Sequence, residues 1–99
     1  MLDNYTLSNK ADGEIKEIYK YSYATLGEDQ ADIYIAGLEN CFEHLVENPH
    51  LGRSCDRIRE GYFRLDYLSH IIFYTLEPDT ILISRVIHKS MDTKVQLSE

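Results

Sequence analysis

Basic residues are scarce in this chain, with ten Lys and Arg against 17 Asp and Glu and a formal net charge of −7. That balance argues against a protein that wraps nucleic acid, because neutralising phosphates demands a basic footprint. Cysteine is limited to Cys41 and Cys55, and no C-x-x-C spacing occurs. A buried packing role for Cys41 and a loop thiol at Cys55, both in a reducing compartment, are expected. Long hydrophobic runs are missing: the longest falls far short of the roughly 20 apolar residues a membrane span needs. The opening residues lack the basic and apolar regions of a secretory signal, so a cytoplasmic location without membrane association is expected. His44 and His50 have no second ligand pair at metal-binding spacing. Neither a metal nor any other cofactor is expected. Repeats and low-complexity tracts are absent, the charged fraction of 27% excludes pervasive disorder, and 99 residues predict one domain spanning 1–99.

The charge is unevenly divided. Residues 1–55 hold ten acids and four bases, whereas residues 56–99 hold seven acids and six bases. All five arginines (Arg53, Arg57, Arg59, Arg64 and Arg85) follow residue 52, so the first half is an acidic segment and the second carries the guanidinium groups.

The apolar spacing predicts the order of elements. A short strand at Tyr5-Thr6-Leu7 leads to a helix starting at Ser8 or Asn9; with Asn9 as cap, Asp12 occupies the third helical position, where its charge suits the dipole. Ala11, Ile15, Ile18, Tyr19, Ser22 and Leu26 form its apolar stripe, and Gly27 ends it. A second helix over 28–48 carries Ala31, Tyr34, Ile35, Leu38, Phe42, Leu45 and Val46 on one face, and Pro49 stops it. The one-residue junction forces an antiparallel helical hairpin. Strands are predicted over 58–67, with a bulge at Gly61, over 70–76 as a central strand covered on both faces, and over 81–87. Along the first of these, Phe63, Leu65 and Tyr67 alternate with Tyr62, Arg64 and Asp66. The tail from Lys89 is read as a short helix or an exposed, mobile end. The expected fold is therefore α+β, in the order β-α-α-β-β-β with a short C-terminal helix, the hairpin packing on a largely antiparallel sheet.

Three words stand out: N-P-x-x-G-R-x-x-D-x-I-R-x-G-Y from Asn48 to Tyr62, S-H-x-I-F-Y from Ser69 to Tyr74, and R-V-I-H-x-x-M-D from Arg85 to Asp92. Together with Tyr5-Thr6-Leu7-Ser8, Ala11 and the Gly27-x-x-Gln30-Ala31 junction, they resemble ParE-type toxins of the RelE/ParE superfamily over nearly the whole chain. The resemblance implies a type II toxin that poisons DNA gyrase by stabilising its cleaved-DNA state. It also implies a ParD-like antitoxin that silences the toxin and assembles with it into a hetero-oligomer. Such proteins are inhibitors rather than enzymes, and sequence-specific nucleic-acid binding is not expected of them.

The second expectation comes from the sister branch, whose RelE-like members cut messenger RNA on the ribosome. That chemistry needs a base for the 2′-hydroxyl, an acid for the leaving oxygen and cations for the developing phosphorane charge. Here the candidates are His88 with Arg59, Arg64 or Arg85, and Glu43 or Glu47 as a distant carboxylate. Arg85 and His88, three apart, project from opposite faces of a regular strand, and only a bulge brings them together. That separation favours an inhibitor with no catalytic residues. A third reading is an inactive member of the superfamily acting as a binding module.

The remaining site residues follow from charge and position. Arg59, Arg64 and Arg85 on adjacent strands repel one another unless an anion meets them, either Asp66 or Glu60 within the chain or an acidic antitoxin segment. His88, Lys89, Met91 and Asp92 are the candidate contacts to the target. Gly52, Arg53, Asp56 and Gly61 shape a loop, braced by an Arg53–Asp56 pair or by a backbone bond. His70 is a structural hydrogen-bonder, and Tyr62, Tyr67 and Tyr74 are packing residues with a polar tip. Asp12, Glu14, Glu17, Glu28, Asp29 and Asp32 are solvated helix faces.

Overall fold

In the computed structural model, which describes residues 4–91 and 93–97, the chain runs β1 (Asn4–Leu7), α1 (Asn9–Leu26), α2 (Glu28–Glu47), β2 (Arg53–Ser54), β3 (Tyr62–Tyr67), β4 (His70–Leu76), β5 (Thr80–His88) and α3 (Thr93–Leu97). The α+β class and the helical hairpin are as expected, and a short β2 is added to the predicted order. The five strands form one sheet in the order β1-β5-β4-β3-β2. β1 lies parallel to β5, and the other three pairings are antiparallel.

The helix start is fixed by Ser8 rather than Asn9. Ser8 Oγ accepts the Ala11 N–H at 3.0 Å and donates to the Ser84 carbonyl at 2.7 Å, so one hydroxyl caps α1 and ties it to β5. At the other end, the Gly27 N–H bonds to the Tyr23 carbonyl, and the Gly27 carbonyl accepts from Ala31 N–H. This residue closes α1 and opens α2 at once, which holds the hairpin tight.

The hairpin and sheet bury one core. Ala11 and Ile18 of α1 and Leu38, Phe42 and Leu45 of α2 pack on Ile72, Tyr74, Ile81, Ile83 and Val86. Each such large side chain contributes about 1.5–3 kcal/mol through burial. Phe63, Leu65 and Tyr67 join from β3, as the predicted alternation requires. Leu26 departs from its stripe, lying at the hairpin tip with 65% of its surface exposed. The opposite face of the sheet carries a smaller cluster of Cys55, Ile71, Phe73, Ile87 and Leu97. Cys55 is thus buried rather than a loop thiol, and of the two expectations for the tail the short helix forms, as α3, whose Leu97 closes over this cluster.

Two predicted strand features are corrected. Residues 58–61 belong to a turn in which Ile58 and Arg59 N–H groups bond to the Cys55 carbonyl, so β3 begins only at Tyr62. The irregularity expected at Gly61 lies instead in β5, where Phe73 pairs with Arg85 but Tyr74 pairs with Ile83, leaving Ser84 as the extra residue.

Candidate functional site

Pairing of β1 with β5 stops at Leu7 and Ile83, where Ser8 turns the chain into α1. Beyond that point β5 and α1 diverge around a groove of about 1120 Å³. Its walls are Ile18, Tyr21 and Leu26 of α1, Tyr34 of α2, and His70, Val86, His88 and Met91 at the ends of the last strands. Tyr21 is 72% exposed and Met91 47%, which makes an apolar rim beside a polar floor. Large apolar side chains grouped on a surface in this way mark docking sites.

The floor is built around two histidines that β4 and β5 set directly opposite one another. Their rings meet edge to face at 5.2 Å. Tyr34 Oη accepts the Ser69 N–H at 3.3 Å and lies 2.6 Å from His70 Nδ1. The Tyr34 hydroxyl thus links the start of β4 to the His70 ring. Burial, then the neighbouring His88, pushes the His70 imidazole down to about 4 from the ordinary 6.5, so it is neutral at physiological pH. His88 Nδ1 accepts the Ser90 N–H at 3.0 Å, which leaves the proton of the neutral ring on Nε2.

Arg85 lies opposite Phe73 and His88 opposite His70, so the two leave the strand on opposite faces, with the bulge upstream of both. The Arg85 guanidinium is held by Glu14, through Nε at 3.0 Å and Nη2 at 2.7 Å, and by the backbone and side chain of Gln96. Glu14, expected on a solvated face, is instead a partly buried clamp. The signal was its spacing, one turn from Ala11 and Ile18 on the same helical stripe. Arg59 Nη1 donates to the Leu97 carbonyl at 2.6 Å, and its guanidinium covers the Tyr62 ring at 5.2 Å. Two arginines thereby hold the carbonyl end of α3.

Arg64 takes a different partner. Its Nη2 donates to Asp66 Oδ1 at 2.9 Å, and Lys89 Nζ stands 3.8 Å from the other oxygen. Glu43 and Glu47 gather near Tyr5, at the far end of β5 from His88. Of the residues an RNA-cleaving site would need, Arg85 and His88 both line the groove although they leave β5 on opposite faces, whereas Arg64 lies on the outer face and both glutamates are remote. Asp92 lies outside the described residues.

Of the two expected ways of bracing the loop, the backbone bond forms. Asp56 Oδ1 accepts the Gly61 N–H at 2.8 Å, and no Arg53–Asp56 bond forms. Gly61 has φ +83°, a backbone state other residues rarely adopt. Gly52 serves close approach: its N–H donates to Tyr74 Oη at 2.9 Å, and that hydroxyl donates to the Pro49 carbonyl at 2.9 Å. The tyrosine of the second sequence word thus clamps the proline and glycine of the first.

The chain is similar to known proteins in sequence and in fold. The model of the ParE toxin of type II toxin–antitoxin systems matches residues 5–93. The chain belongs to the ParE toxin family. Toxin ParE1 of Mycobacterium tuberculosis is 39% identical over 93 residues, which cover 93% of this chain and 95% of that protein. Toxin ParE1 of Caulobacter vibrioides is 33% identical over 94% of this chain and 96% of its own length. A chain from the chromosomal ParDE system of Pseudomonas aeruginosa superposes with a TM-score of 0.74 at 18% identity, covering 89% of this chain and 96% of that one, a likeness of fold.

Proposed function

We propose that this ParE-family toxin poisons DNA gyrase and is silenced by a ParD-like antitoxin encoded beside it. The observation that carries the partner half of this reading is the groove between α1 and the end of β5. It combines exposed Tyr21, Leu26 and Met91 with polar groups from His70 and His88, which suits an amphipathic segment with apolar anchors. His88 and Met91 line it, so a chain seated there covers half of the expected target-contact residues as well. Silencing by simple occlusion follows from that overlap.

The target half rests on the family and on charge. A gyrase–DNA complex presents protein as well as phosphate, so an inhibitor of net charge −7 can engage it through protein contacts. Lys89, exposed beside Asp66, is a further contact in this reading. Among the three arginines first expected to meet the antitoxin, Arg59 and Arg85 already satisfy carbonyls of α3, which leaves Arg64 as the principal contact.

Expression without the neighbouring reading frame tests the reading. Growth should stop with accumulation of DNA breaks, and co-expression of the neighbouring product should restore growth. Arrest without DNA breaks, with messenger cut within open reading frames, would favour the RNA-cleaving branch. Normal growth at full expression would favour an inactive binding module.

A further inference from the structure

The outer face of the sheet holds a local excess of positive charge on a chain of net charge −7. β2 and β3 set Arg53 directly opposite Arg64. Like charges in cross-strand register destabilise a sheet unless an anion lies between them. One carboxylate serves them, that of Asp66, and Lys89 approaches its second oxygen. Burial pushes the Asp66 carboxyl up, but the hydrogen bond and charge of Arg64, followed by the charges of Lys89 and Arg53, outweigh it and hold the group below its ordinary value. Three cations thus share a single acid.

Their hydrogen-bonding capacity is also underused. Among the described residues the Arg53 side chain makes no hydrogen bond or ion pair, and Arg64 Nε is buried without an acceptor. Arg59 and Arg85 tie α3 to the sheet through its carbonyls, whereas Arg64 reaches only Asp66, two residues along its own strand, so one pair joins distant parts of the fold and the other does not. Phe73 underlies Arg64 at 5.9 Å, giving the cations an apolar floor that strengthens any charge pairing above it.

We propose that Arg53, Arg64 and Lys89 form a carboxylate-binding site that receives an acidic side chain of the antitoxin. This rests on the antitoxin reading above and adds a second anchor, on the face opposite the groove. A carboxylate fits better than a phosphodiester backbone. The site spans few cations, and the acidic helical hairpin repels a long polyanion whose charges continue past it. An arginine fork, by contrast, suits a single carboxylate.

Titration of purified protein with the neighbouring-frame product, and separately with an oligoglutamate peptide and a short DNA duplex, tests the site. Arg53→Gln and Lys89→Gln are chosen because both side chains are exposed, and circular dichroism checks that each variant folds. Each should weaken antitoxin binding by about tenfold and flatten its salt dependence. The peptide should shift the Arg53 Nε resonance of the wild type. Unchanged antitoxin affinity in both variants would overturn the site while leaving the antitoxin reading intact. Failure of the wild type to bind the neighbouring product, with the peptide still shifting Arg53, would overturn that reading and reduce the site to a carboxylate site without this partner. Binding of the duplex, but not the peptide, through Arg53 would assign the face to nucleic acid and overturn the proposal.

Discussion

Glu14 of α1 holds Arg85 of β5 through two hydrogen bonds to one oxygen, while its other oxygen accepts the Val86 N–H at 2.9 Å. One carboxylate therefore neutralises a buried cation and satisfies the edge of β5 where β1 has ended. Glu14→Ala removes both functions, and the loss should be about 2–4 kcal/mol, measured as a shift in the urea unfolding midpoint at constant m-value. Glu14→Gln should recover part of it, since the amide oxygen can still accept one bond.

Tyr74 and Gly52 fasten the segment after α2 to the sheet. Tyr74→Phe leaves the Gly52 N–H and Pro49 carbonyl without that partner and should cost about 1–3 kcal/mol in thermal unfolding. Gly52→Ala should cost more, because its Cβ would stand 2.5 Å from the Arg64 carbonyl, a backbone atom unable to step aside. Equal melting temperatures for wild type and Tyr74→Phe would refute the clamp.

His70 makes stability depend on pH. The unfolded chain takes up the imidazole proton near 6.5, the folded chain only at about 4, so protonation favours unfolding. The stabilising effect of the neutral ring is complete above pH 6.5 and diminishes progressively as pH falls toward 4. Denaturation midpoints measured across this range should fall toward acid, and His70→Gln should flatten that slope. An unchanged slope would show that another group titrates.

Leu97 is the apolar peg of α3 and is 2% exposed. Leu97→Ala should destabilise the protein by about 2 kcal/mol, at the low end for a buried leucine because the five-residue α3 can shift to close the gap. Amide exchange over 93–97 should accelerate more than exchange in β4. Uniform acceleration throughout the sheet would mean that α3 and the sheet open together.

Much of this architecture was legible because it depends on periodicity. The stripes of α1 and α2, and the alternation of Phe63, Leu65 and Tyr67 with Tyr62, Arg64 and Asp66, follow from which faces must be buried. The family words marked real positions, yet their physical roles depended on distant partners. Tyr74 and the Pro49 loop, His70 and Tyr34, and Arg59 and Leu97 are joined across the fold, so no local spacing announces them. β2 was hidden because two residues carry no period, and Ile58 read as strand although Asp56 and Gly61 close a turn around it. Glu14 was misread by composition: an acid on a helix is ordinarily solvated, and only its alignment with Ala11 and Ile18 pointed inward.

The proposed trapping of gyrase on cleaved DNA is tested most directly with purified components. Purified gyrase, supercoiled plasmid and the protein should yield linear DNA after detergent and protease treatment, and the neighbouring-frame product, added first, should abolish it. Untouched plasmid at saturating protein, beside cut messenger on programmed ribosomes, would contradict the account.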